Sequence, residues 1–172
     1  LDSLADTVTS QGVVAAVRIR DRVPLPDSGL VLVLDGIADP GNAGSILRTA
    51  RAAGVAGVVA TQSTTDLWSP KAVRAGMSAH FHLNMIVDQT WPVDVGPRML
   101  LLASAHQGEP YWAIDWSEPL ALIIGSEAHG ASSDATRQAA QRVTIPMAEG
   151  AESLNAAAAA AVLLFQWRRH FL

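Results

Sequence analysis

The sequence predicts an α/β fold, a mostly parallel sheet with helices on both faces. Two observations carry this expectation. Short apolar runs, 30–34 and 120–124 among them, lack the polar alternation of a one-sided strand and so suit strands buried on both faces. Between such runs stand segments with helical spacing, the first marked by Ile46, Leu47, Ala50 and Ala53. Strands that alternate with helices form a parallel sheet. At 172 residues the chain suits one domain with a substantial core.

Taken in order, residues 1–10 are polar and unpatterned, and 12–19 read as a short strand. Residues 21–29, with Pro24, Pro26 and Gly29, form a linker or edge loop. Strand 30–34 leads into the turn Asp39-Pro40-Gly41-Asn42-Ala43-Gly44. There Pro40 fixes φ, the glycines allow close backbone approach, and Asn42 suits a helix cap. The helix covers 42–53, and Gly54 is placed to end it. A strand at 55–60 and a polar loop at 61–69 come next. Pro70 opens a helix that runs to Ser78. Residues 81–87 form a weaker strand, 88–97 a connection with Pro and Trp, and 99–103 and 120–124 two further strands. Residues 132–141 have amphipathic helical spacing, 143–145 form a short strand, and 155–171 the terminal helix. That last helix is rich in Ala and apolar nearly all round, so it must be buried in the core or against another subunit.

Composition removes several classes of function. Cysteine is absent, so there is no disulfide framework, thiolate metal site or thiol nucleophile. The longest apolar run, 156–165, is too short to span a membrane. No signal peptide is visible, and a cytoplasmic protein without membrane contact is expected. The net charge of −4 argues against a domain that grips nucleic acid by charge alone. The cations are nevertheless grouped: Arg18, Arg20 and Arg22; Arg48 and Arg51; Lys71 and Arg74; Arg168 and Arg169. Lys71 is the single lysine among the twelve Lys and Arg residues, and a guanidinium fork suits phosphate. His80 and His82 share a face of the predicted strand but lack a third ligand, which disfavours a metal site there. No G-x-G-x-x-G or G-x-x-x-x-G-K-[ST] run occurs. Ser126 directly follows Gly125, so that loop is no G-x-S-x-G elbow.

Three predicted strand ends carry small or polar loops: 39–44, 125–130 and 146–155. Ligands of open α/β sheets bind outside the carboxyl ends of strands, which gathers these loops at one site. Arg48 lies about 9 Å along its helix from Asn42, and Arg51 shares a face with Arg48. A helix N-terminus beside an arginine suits an anionic ligand.

Together the loops resemble the SpoU family of RNA ribose methyltransferases, within the SPOUT superfamily. Asp39-Pro40-x-Asn42-x-Gly44-x-Ile46-x-Arg48-Thr49-Ala50 is similar to its first motif. Ile124-Gly125-Ser126-Glu127-x-x-Gly130 is similar to its second. Ile145-Pro146-Met147 with Ser153-Leu154-Asn155 is similar to its third. Ala128, Ser78 and Asn84 stand where the family usually has Gly, Gly and Pro. The resemblance implies a C-terminal deep trefoil knot, S-adenosylmethionine as cofactor, a homodimer through the terminal helix and first-motif region, and ribosomal or transfer RNA as substrate. It further implies that Gly125, Ile145, Leu154, Ala103 and Met147 bind the cofactor, and that Arg48, Asn42, Glu127, Ser153 and Asn155 are catalytic.

In this reading Arg51, Lys71 and Arg74 contact RNA and no metal takes part. Residues 1–20 are an N-terminal segment that joins a missing RNA-binding domain to a catalytic domain at 21–172. Guanidinium stays protonated, so Arg48 is expected to hold an RNA phosphate and stabilise the developing alkoxide, with Glu127 as a possible ion partner. Two alternatives stay open: a non-catalytic RNA-binding or ribosome-assembly factor that keeps the fold, and a methyltransferase for a small molecule or protein.

Overall fold

A computed structural model describes residues 15–19 and 23–172. The elements are β1 (Val31–Asp35), α1 (Pro40–Ala53), β2 (Gly57–Thr61), α2 (Pro70–Gly76), a 3-10 turn (Ala79–Phe81), β3 (Met85–Gln89), β4 (Met99–Ala103), β5 (Glu109–Pro110), β6 (Leu120–Gly125), α3 (Ser133–Gln138), β7 (Gln141–Thr144) and α4 (Ala156–Arg169). The strands form one seven-stranded sheet in the order β3-β2-β1-β6-β4-β7-β5. Every pairing is parallel. Thus β6 is inserted between β1 and β4, and β7 between β4 and β5.

Side-chain alternation splits β1 between two cores. Leu32 and Leu34 face α1 and α4, among Leu47, Ala50, Leu163 and Trp167. Val31 and Val33 face the opposite side, with Ala135 of α3 and with Val93 and Val95 of the connection before β4. All five β1 residues are buried, which explains the unbroken apolar run. At the other end of the strands the buried Arg98 fork donates to the carbonyls of Pro26, Ser28, Gly29 and Val95. That clamp holds segment 26–29 against the sheet.

The predicted helices and strands recur with shifted ends. Residues 15–19 are not a strand, and 12–14 of that expected strand lie outside the described residues, as do Arg20 and Arg22. Helix α1 starts two residues earlier than expected, because Asp39 rather than Asn42 is its cap: the Asp39 carboxylate accepts from the Asn42 N–H at 2.9 Å. The second helix stops at Gly76, since Met77 (φ 44°) and Ser78 (φ 68°) turn left-handed. Glycine adopts that conformation without strain. His80 consequently lies in the 3-10 turn, not on a strand with His82. It is buried, its Nε2 2.7 Å from the Leu67 carbonyl oxygen. Burial holds its ring below the usual imidazole range, the Leu67 bond partly opposing this. The two-residue β5 was not expected, and 132–141 divides into a short helix and the first residue of β7.

Helix α2 lies directly on α1 because Gly44 has no side chain. A Cβ at position 44 would stand 2.3 Å from the Ala72 carbonyl oxygen and 2.6 Å from the Ala75 Cβ. Gly44→Ala should therefore destabilise the fold by about 2 kcal/mol through overpacking against backbone. Urea denaturation checks this, and an unchanged midpoint would show that α2 is not seated on α1 as described.

Candidate functional site

A cavity of about 670 Å³ opens at the carboxyl ends of β4, β6 and β7, within the size range of small-molecule sites. Segments 102–106, 124–131 and 152–154 line it with Val143, Ile145 and Met147, and Ala156, Ala159 and Leu163 of α4 close one side. Ala103, Gly125, Ile145, Met147 and Leu154 all lie on its wall, as do Glu127 and Ser153. The sequence reading passed over Ser104, Ala105, His106 and Arg142, which also line it. The first three follow the end of β4, so the strand-end rule applied to the other loops would have found them.

Gly125 ends β6 where the chain doubles back on itself. Ser126 and Gly130 exchange two backbone hydrogen bonds, each 2.9 Å, and Gly130 has φ 71°. A Cβ on Gly125 would lie 2.3 Å from the Ala131 nitrogen and 2.5 Å from the Gly130 carbonyl carbon. Glycine is thus needed at 125 for the return of its own loop. The loop then exits through Ser132, whose N–H donates to Asp35 Oδ2 at 2.6 Å and whose hydroxyl caps α3.

At the cavity rim three elements meet through side-chain amides. Asn42 Nδ2 donates to Glu127 Oε1 at 2.6 Å, and Asn155 Nδ2 donates to Asn42 Oδ1 at 3.0 Å. Asn42 is available for this because Asp39 has taken over the capping of α1. Asn155 meanwhile caps α4, its Oδ1 accepting from Ala157 N at 2.9 Å and Ala158 N at 3.3 Å. The expected pairing of Glu127 with Arg48 is absent: Glu127 is engaged by Asn42, and Arg48 is exposed without an ion pair or hydrogen bond among the described residues. Six residues of helix turn the side chains of 42 and 48 about 120° apart, so Arg48 points away from the Asn42–Glu127 contact; none of Asn42, Arg48 and Asn155 is on the cavity wall itself.

The other expected cations lie along α1 and α2. Lys71 Nζ meets Asp39 Oδ2 at 2.6 Å. Its hydrogen bond, with that from the Asn42 N–H, holds the Asp39 carboxyl below the usual carboxylate range. Arg51 Nη1 donates to Ser78 Oγ at 2.9 Å, and Arg74 is exposed in the last turn of α2. Among the described residues no three His, Asp or Glu side chains are grouped to hold a metal, and no helix is long and apolar enough to cross a membrane.

The family model described as "SpoU rRNA Methylase family" matches residues 29–165. Over 98% of its length the chain is 37% identical to a protein described as an uncharacterised tRNA/rRNA methyltransferase of Synechocystis, of which it spans 64%. Over 96% of its length it is 32% identical to the 23S rRNA (guanosine(2553)-2'-O)-methyltransferase RlmP of Bacillus subtilis, of which it spans 68%. The crystal structure of an AdoMet-bound rRNA methyltransferase from Sinorhizobium meliloti matches 87% of the chain with a TM-score of 0.80 at 33% identity, over 59% of that protein.

Two positions give separable outcomes. Gly125→Ala should open the 126–131 loop, read as faster proteolytic cleavage there; cleavage at the wild-type rate would contradict the close backbone approach. Asn155→Ala should lower stability by about 1 kcal/mol, whereas Asn155→Ser, which keeps a capping oxygen, should cost only a few tenths. Equal losses by urea denaturation would contradict the capping role.

Proposed function

Since the chain belongs to the SpoU rRNA methylase family, we propose that it transfers a methyl group from S-adenosylmethionine to a ribose 2'-hydroxyl of ribosomal or transfer RNA. The observation that carries this reading is the cavity, whose wall includes all five residues expected to hold the cofactor. The relatives support it in kind, RlmP by its 2'-O-methyltransferase name and the Sinorhizobium protein by its bound AdoMet. The chain spans only about half to two thirds of the curated relatives it matches, so the activity belongs to the reading and not to the fold alone.

The wall fits the cofactor. Apolar side chains of Ile145, Met147, Leu154 and Leu163 suit a purine and a sulfonium-bearing chain. When bound, S-adenosylmethionine supplies an electrophilic methyl group. Gly125, Ile145 and Leu154 would hold it, with Ala103 and Met147 beside them. Asn42, Glu127 and Asn155 form a connected polar rim that, with Ser153, would orient the ribose and its hydroxyl proton. Arg48, whose fork has no partner among the described residues, would take the adjacent RNA phosphate and favour the alkoxide as it forms, the hydroxyl proton passing to that phosphate or to water. Arg51, Lys71 and Arg74 extend the cationic track along α1 and α2, where RNA phosphates would lie.

The same reading includes a homodimer, a C-terminal trefoil knot and a cytoplasmic site of action. Val162 and Phe165 on α4 are 37% and 50% exposed, apolar surface that a second copy would cover. The insertion of β6 and β7 between earlier strands is the arrangement a threaded chain end produces. Residues 21–172 would be the catalytic unit, joined through 1–20 to an RNA-binding domain.

Arg48→Ala should leave S-adenosylmethionine affinity within about twofold while slowing methyl transfer at least about 100-fold. Calorimetry and radiolabelled transfer to RNA, followed by mapping of 2'-O-methylated nucleotides, measure both. An unchanged transfer rate would remove Arg48 from the chemistry, and label on a base would overturn the ribose assignment.

A further inference from the structure

Asp35 is a carboxylate at the end of β1, and it is only 2% exposed. Among the described residues no cation pairs with it. Its Oδ1 instead accepts from the indole N–H of Trp91 at 3.0 Å and lies 3.3 Å from Thr61 Oγ1. Its Oδ2 accepts from the Ser132 N–H at 2.6 Å. A buried charge is tolerated only with such donors, and hydrogen bonds to an ionised group are the strong ones. The donors come from β2, from the 90–97 connection and from the exit of the 126–131 loop, three segments far apart in sequence.

The third donor matters for the site. The cavity loop enters from β6, where Gly125 is in register with Asp35, and leaves at Ser132. Between these points residues 127–130 are exposed, held by the Ser126–Gly130 bridge, the Glu127–Asn42 contact and an Ala128 N–H bond to Ser126 Oγ. One strand end therefore fixes both ends of the loop: its backbone by pairing, its carboxylate by the Ser132 bond.

We propose that Asp35 is a positioning residue for the cofactor loop, setting the cavity wall at 125–131 through its bond to Ser132 without itself touching cofactor. The inference rests on the cofactor reading above. In Asp35→Asn the amide NH₂ must face either the Ser132 N–H or the Trp91 N–H, a donor against a donor. S-adenosylmethionine should then bind about tenfold more weakly, a loss the size expected for one charge-assisted bond. Trp91→Phe removes the competing donor. That single variant should keep wild-type affinity, and in the double variant Asp35→Asn with Trp91→Phe the amide can turn its oxygen to Ser132, restoring most of the binding. A role confined to stability would lower the melting temperature without this rescue.

Calorimetry with S-adenosylmethionine and amide hydrogen exchange of the cofactor-free wild type make the test. The Ser132 amide should exchange more slowly than those of 127–129. A folded Asp35→Asn variant that binds within twofold of wild type overturns the inference alone, as does absence of rescue in a folded double variant. If Asp35→Asn fails to fold, Ser132 exchange as fast as its exposed neighbours overturns it. A wild-type chain that binds no S-adenosylmethionine overturns the proposed function itself.

Discussion

Parallel pairing of β6 against β1 is the constraint on which the site depends. It sets Leu34 beside Ile124 and Asp35 beside Gly125, so loops that leave residues 35 and 125 must emerge side by side. The 85-residue separation between Asn42 and Glu127 is thereby closed to one hydrogen bond. Loop-closure entropy opposes such long-range contacts, and what offsets it is the burial of two apolar strands on both faces. The chemistry at the rim is thus held in place by the interior of the sheet.

Backbone crowding is the second recurring device. Gly44 lets α2 reach α1, and Gly125 lets a loop return upon itself; each would put a Cβ 2.3 Å from a backbone atom of the neighbouring segment. These glycines belong to the motifs that resemble the family, and each lies tight against backbone of the chain itself. Part of the motif's glycine content therefore records how the polypeptide folds around the cavity, beside whatever it records about the cofactor.

Much of this was legible in the sequence because it is local. Continuous apolar runs gave β1 and β6, helical spacing gave α1 and α4, and two of the three strand-end loops, 125–130 and 146–155, contribute to the cavity wall, while 39–44 reaches it only through the Asn42–Glu127 bond. What escaped depends on partners distant in the chain. The residue type of Asn42 suits a cap; only the fold reveals that Asp39 takes that place and releases the amide toward Glu127. Charge alone pairs Glu127 with Arg48, whereas helix geometry turns the guanidinium elsewhere. Asp35 attracted no notice, since nothing near it in sequence hints at donors from residues 61, 91 and 132. The strand ends at Asp35 and at Ala103 obey the same strand-end rule as the loops that were found.

Asn155 spends one amide on two tasks, its oxygen sealing the first turn of α4 and its nitrogen reaching Asn42. Fraying of that turn and loosening of the rim are consequently one equilibrium. Warmth or mild denaturant that unwinds the start of the last helix will release the Asn155–Asn42 bond while the sheet beneath remains intact, so the rim should loosen before the fold is lost.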